Sequence, residues 1–142
     1  MPLNLVIDAS ASALEAQRAR MEVAVSNMAN AESTRGANGE PYRRRDVVLT
    51  SAPMASPFEV AMGQQAPIGV KVANVVEDRM PFKQRYEPSH PDADEQGYVQ
   101  VPNVDVPEEM VDMMSAARAY QANLTAIGVI RDTIQKALEL GR

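Results

Sequence analysis

The side chains that could do chemistry are few. The one histidine, His90, sits between prolines in YEPSHPDADEQG. A lone imidazole in a polar loop is expected to be solvated rather than to ligate metal or shuttle protons. In the same stretch Asp92, Asp94, Gln96 and Gly97 are spaced like the opening of a calcium-binding loop. The twelfth position of that loop needs a bidentate Glu and falls here on Asn103, and no helical pattern leads into it. A turn is the better reading. There is no cysteine, which excludes disulfides and thiolate chemistry but assigns no compartment. No glycine-rich phosphate loop is present, and one loop histidine cannot build a Ser/His/Asp set. Glu108 and Glu109 are adjacent, so on a helix they do not face each other; charge at a helix start explains them. No catalytic group, cofactor or metal is expected, and the chain does not read as an enzyme.

Arg43, Arg44 and Arg45 form the only dense basic run. Lys and Arg total 14 against 19 for Asp and Glu, a net charge of −5. Global attraction to nucleic acid or anionic lipid is therefore not expected. A nucleic-acid patch needs more basic neighbours than this run has. The alternatives left open are an ion-paired or solvated turn and a contact with an acidic protein neighbour.

The elements that would position these residues lie at the two ends. From the N-terminus, Ile7, Ala11, Leu14, Met21, Val25 and Met28 recur at alternating spacings of three and four, with Arg18 at the one polar position. This predicts a helix from about residue 4 to about 32, roughly 40 Å long at ~1.5 Å per residue. Near the C-terminus Met110, Met113, Ala117, Tyr120, Leu124 and Ile127 repeat the spacing, interrupted at Arg131. Asp105 and Glu108 are spaced as a capping box, and Pro107 suits a first turn. Gly128 lies inside this helix, where glycine costs ~1 kcal/mol relative to alanine; it either permits a close crossing or is simply tolerated. The expected fold is mainly α, with the terminal helices pairing as an antiparallel coiled coil. The predicted seam is Leu14, Met21, Val25 and Met28 against Met113, Tyr120, Leu124 and Ile127. Aromatics are only 4% of the chain and there are nine Met. Such a composition suits thin helix packing and apolar surface buried against other chains.

The middle differs. Residues 33–105 hold eight of the ten prolines and five of the seven glycines. DVVLTS (46–51), GVKVANVVED (69–78) and GYVQV (97–101) read as short strands. The expected organisation is a coiled-coil helix over 1–33, a small β and loop region over 34–104 with a mobile segment near 52–68, and a second coiled-coil helix over 105–142. The first basic residue is Arg18 and no long uncharged apolar run occurs, so neither a cleavable signal nor direct membrane insertion is expected.

Both ends carry motifs of a known group. SALEAQRARMEVAVSNMANAEST (12–34) resembles the N-terminal motif of the bacterial flagellar axial proteins of rod and hook, with Ser26, Asn27, Asn30 and Ala31 matching its Ser-Asn-x-x-Asn-Ala close. GYVQVPNVDVPEEMVDMMSAARAYQANLTAI (97–127) resembles the C-terminal motif, including the Arg118–Asn123 core. STRGANGEPYRRRDVV (33–48) and the short middle look like the proximal-rod members. The match covers about half the chain; residues 51–96 match weakly.

That resemblance implies a structural subunit of the proximal rod of the flagellar basal body. Such a subunit assembles helically with copies of itself and other rod proteins, links the membrane ring to the distal rod and transmits torque. It would leave the cytoplasm through the flagellar type III export apparatus without signal cleavage and reside in the periplasm-spanning rod. FEVAM, from Phe58 to Met62, fits the short export-gate pattern of rod and hook subunits. Asn27, Asn30, Arg43, Arg44, Arg45, Arg118 and Asn123 are the candidates for contacts between subunits. A cytosolic helical adaptor or secretion chaperone is the alternative that a small acidic coiled-coil sequence allows.

Overall fold

A computed structural model describes residues 3–36, 38–53, 62 and 68–140. Two long helices flank two separate β-hairpins. Helix α1 spans Leu3–Ala29 and helix α2 spans Val106–Leu140, 27 and 35 residues. At ~1.5 Å per residue they are roughly 40 and 50 Å long. Both are dense in Ala, Met, Leu, Glu, Gln and Arg, residues that lose little freedom on entering a helix. Strand β1 (Arg45–Pro53) pairs antiparallel with β2 (Ile68–Glu77), and β3 (Lys83–Tyr86) pairs antiparallel with β4 (Tyr98–Val101).

Helix α1 is the hub. It packs against α2 on one side and against the β1–β2 hairpin on the other, whereas neither hairpin packs on α2. Ser12 tacks the first hairpin down: its hydroxyl donates to the Ala9 carbonyl (2.7 Å) and accepts the Val70 N–H (3.1 Å). The register of that hairpin slips between Val48 and Leu49, where Val48 faces Asn74 but Leu49 faces Val72. Ala73 is the extra residue of this bulge, which bends and twists the strand.

The buried lines of the helices differ from the predicted seam. In α1 the buried residues are Ala16, Ala24 and Asn27. In α2 they are Glu109 and Ala116, flanked by half-buried Met113, Tyr120, Asn123, Ile127, Ile130 and Ile134 at heptad spacing. Of the eight predicted seam residues, Leu14, Met21, Met28, Met113, Tyr120 and Ile127 are half-buried. Val25 and Leu124 are corrections to the prediction: they are 49% and 46% exposed. The reason is geometric. A seam built on large apolar residues assumes one partner per helix, but α1 has two, α2 and the β1–β2 hairpin. Larger residues then flank the contact, and Arg18, Ala11 and Val25 turn outward together.

The second hairpin is held by polar ties. Thr34 Oγ1 donates to Asp92 (2.9 Å), and Lys83 Nζ donates to the Val104 carbonyl (3.2 Å). Val99 and Val101 on β4 are buried on one face, with the stems of their cross-strand partners Arg85 and Lys83 beside them. On the opposite face Tyr86 meets Tyr98 edge-on at 5.3 Å. The calcium-like spacing resolves as a turn: Asp94 Oδ1 accepts the N–H groups of Gln96 and Tyr98, and Gly97 takes φ +83°. Among the described residues no His, Cys, Asp or Glu cluster could hold a metal ion, and no helix is long and apolar enough to cross a membrane.

Candidate assembly interface

Two features bear on assembly: a buried polar junction where the helices meet, and an uncovered face of α2. The junction forms where the last turn of α1 lies against the first turn of α2. Asn27 is 1% exposed and all four of its hydrogen-bonding positions are used within the chain. Its Nδ2 donates to the Arg45 carbonyl (2.8 Å) and to Glu109 Oε2 (3.0 Å). Its Oδ1 accepts the Arg45 N–H (2.9 Å) and the Tyr42 hydroxyl (3.0 Å). The amide therefore acts toward Arg45, the first residue of β1, as a neighbouring strand would, satisfying both of its main-chain groups.

Glu109 is 2% exposed and would be costly to bury alone. Arg44 supplies the compensation: its Nε donates to Glu109 Oε1 at 2.6 Å, and its Nη2 lies 3.7 Å from Asp112 Oδ2. Burial of Arg44 works against its charge. The hydrogen bond and charge of Glu109, with Asp46 and Glu108 behind it, outweigh that burial and raise its pKa. A raised cationic pKa contributes stability that is fully present below the ordinary arginine value and lost only above it. The guanidinium thus stays charged at every working pH. The Arg44 backbone is held as well: its N–H reaches Asn103 Oδ1 (3.3 Å), and its carbonyl accepts the Asp78 N–H (2.8 Å).

The predicted contact residues separate into two groups. Asn27, Arg44 and Asn123 serve the chain itself, Asn123 by donating to the Ala119 carbonyl (2.9 Å) from the inner face of α2. Asn30 closes α1, its Nδ2 donating to the Ser26 carbonyl (2.8 Å). Arg43 pairs with Glu40 (3.6 Å) and lies 4.4 Å over the Phe82 ring. Arg45 pairs with Glu77 (3.5 Å) and stacks over Tyr42. Each arginine of the basic run thus has its own acidic partners within the chain: Glu40 for Arg43, Glu109 and Asp112 for Arg44, and Glu77 for Arg45. Arg118 is exposed on α2 with no ion-pair partner among the described residues. Met62 is exposed, and Phe58 lies outside the described residues.

Glu109, Tyr42 and Asp112 are the junction members that sequence reasoning missed. A signal existed for Glu109: it begins the heptad line that continues through Met113, Ala116 and Tyr120.

The uncovered face is rich in large apolar residues. Met110, Val111, Met114, Leu124 and Val129 are all exposed among polar neighbours, because among the described elements α2 packs only on α1. An apolar surface of this extent on a single chain marks an interaction site.

Comparison with known proteins places both ends in one group. Residues 7–37 match the family model described as flagella basal body rod protein, and residues 95–140 match that of the flagellar basal body rod FlgEFG protein C-terminal region. The flagellar basal-body rod protein FlgC of Salmonella typhimurium is 47% identical over 142 residues, covering all of both chains. The Bacillus subtilis protein of the same name is 45% identical with 96% of each chain covered, and that of Aquifex aeolicus is 40% identical with 98% and 97% covered.

Proposed function

The chain belongs to the flagellar basal-body rod protein family, and from that premise we propose how it works as a structural rod subunit. It is a component of the basal-body rod and not an enzyme. The finer reading places it in the proximal rod, where it assembles helically with copies of itself and other rod proteins, joins the membrane ring to the distal rod and carries torque. The observation that carries this reading is the uncovered apolar face of α2, which needs partners that one chain does not supply.

In this reading α1 and α2 form an antiparallel coiled coil, supported by the contact between the end of α1 and the start of α2 at Asn27 and Glu109. The half-buried residues Leu14, Met21, Met28, Met113, Tyr120 and Ile127 line it. Assembly buries apolar area at ~25 cal/mol per Å², so many modest contacts together resist shear. The subunit reaches its place through the flagellar type III export apparatus, without signal cleavage, and the Phe58–Met62 stretch serves as the export-gate signal. Its destination is the periplasm-spanning rod.

The test is an in-frame deletion in the host, imaged by tomography of the cell envelope. The expected result is a membrane ring with export apparatus, no completed rod and no motility. Complete flagella in the deletion strain would refute the proposal.

A further inference from the structure

Two stripes of the helices are exposed, and they differ in charge; Glu15, on the α1 stripe, borders the groove facing the β1–β2 hairpin. On α2 the exposed stripe runs through Met110, Met114, Ala117, Leu124 and Gly128 at spacings of three, four and seven. Its exposed charged neighbours are Arg118, Arg131 and Asp132, a net excess of one cation, while Asp112 is paired to Arg44. On α1 the outward stripe carries Asp8, Glu15 and Glu22, with Arg18 as the single cation, itself paired to Glu22 at 2.8 Å. Ala11, Val25 and Ala29 lie along the same stripe. One stripe is therefore mainly apolar with a cationic excess of one, the other small and acidic.

Gly128 adds an independent observation. A Cβ built there meets nothing within 4 Å. No described residue requires a glycine at a position where it weakens the helix. The open space there leaves room for a helix backbone of another chain to cross closely.

We propose that the outer stripe of α2 in one copy docks against the acidic outward stripe of α1 in a second copy, with the crossing at Gly128. This rests on the rod reading above and names the surfaces that it leaves unspecified. The contact is head to tail. Each copy keeps one unsatisfied stripe, so the association stays open and propagates instead of closing as a dimer. Complementary charge favours the unlike pairing, since two acidic α1 stripes facing each other would repel.

The test uses the full chain expressed in its deletion host. Arg118→Glu with Arg131→Glu reverses one stripe, and Glu15→Lys with Glu22→Lys reverses the other. Each pair alone is expected to shrink the swimming halo to that of the deletion strain. All four together are expected to restore at least half the parental diameter, because both sides of every contact are then exchanged. A quadruple variant no better than either pair overturns the proposal. Gly128→Leu gives a separate arm: the purified variant should keep its helical circular dichroism while the halo falls at least severalfold, and a parental halo would likewise overturn the crossing. A deletion strain that still builds rods refutes the rod reading itself. Absent rods with no rescue by the quadruple variant refute only the choice of stripes.

Discussion

Replacing Asn27 by aspartate tests the junction with almost no change in volume. The substitution removes both Nδ2 donors, leaving the Arg45 carbonyl and Glu109 Oε2 without that partner. It also places a second carboxylate 3.0 Å from the first, at a site that is 1% exposed. Each buried group left unsatisfied costs ~1–3 kcal/mol. Disrupting a buried charged cluster costs about 3–5 kcal/mol. Arg44 offsets part of the repulsion, so the expected loss is roughly 4 kcal/mol at neutral pH. That is a large share of a stability of ~5–15 kcal/mol. The deficit should depend on pH. The native fold disfavours charge on the introduced carboxylate, so its folded pKa is raised above the unfolded ~3.9. The penalty is full above the folded pKa and shrinks as pH falls toward the unfolded one. Urea unfolding followed by far-ultraviolet circular dichroism, variant against parent at each pH, measures both. A loss under ~1 kcal/mol at pH 7, or a deficit that does not narrow on acidification, would refute the account of Asn27.

Four further outcomes follow from named contacts. Arg44→Ala strips Glu109 of its cation and should cost about 3–5 kcal/mol in the same unfolding assay. Arg18→Ala should change stability by less than ~0.5 kcal/mol, because the Arg18–Glu22 pair is exposed on both sides. Gly97→Ala forces an L residue into φ +83° with its Cβ 3.0 Å from the Tyr86 ring and 3.2 Å from Pro88; a loss of ~1 kcal/mol or more is expected, with a change in the Tyr86–Tyr98 near-ultraviolet signal. Gly128→Ala should stabilise the purified chain by up to ~1 kcal/mol, since its Cβ meets nothing, and its thermal midpoint should rise.

The long helices are legible in the sequence because their spacing is regular and their residues suit helix. Three of the strands are legible from their valines and flanking turns. Strand β3 is not: Lys83, Gln84, Arg85 and Tyr86 carry no apolar alternation, and their pairing with Tyr98–Val101 makes them a strand. The predicted seam coincides with the buried lines only in part, because large residues mark a seam in sequence while the fully buried apolar positions of the helices are Ala16, Ala24 and Ala116. The junction is the least legible part. Asn27 and Glu109 are polar, and nothing local distinguishes a buried, fully bonded amide from one at a surface. Only the fold, which brings together residues 27, 42–45 and 109, explains why a carboxylate and a guanidinium are buried there.

The separation along the chain between Asn27 and Glu109 sets the cost of joining them. Their hydrogen bond spans 82 residues, whereas the bonds from Asn27 to Arg45 span 18. The length-dependent part of loop closure, (3/2)RT ln n, is about 2.6 kcal/mol for the short loop and about 3.9 kcal/mol for the long one. The short loop is the cheaper one to close, and closing it seats β1 against α1 while Asn27 still has a donor to spare. Helix α2 can lock only once the chain through Glu109 is free to return. Until then the Asn27 end of α1 stands open, and the last helix is free to find its place.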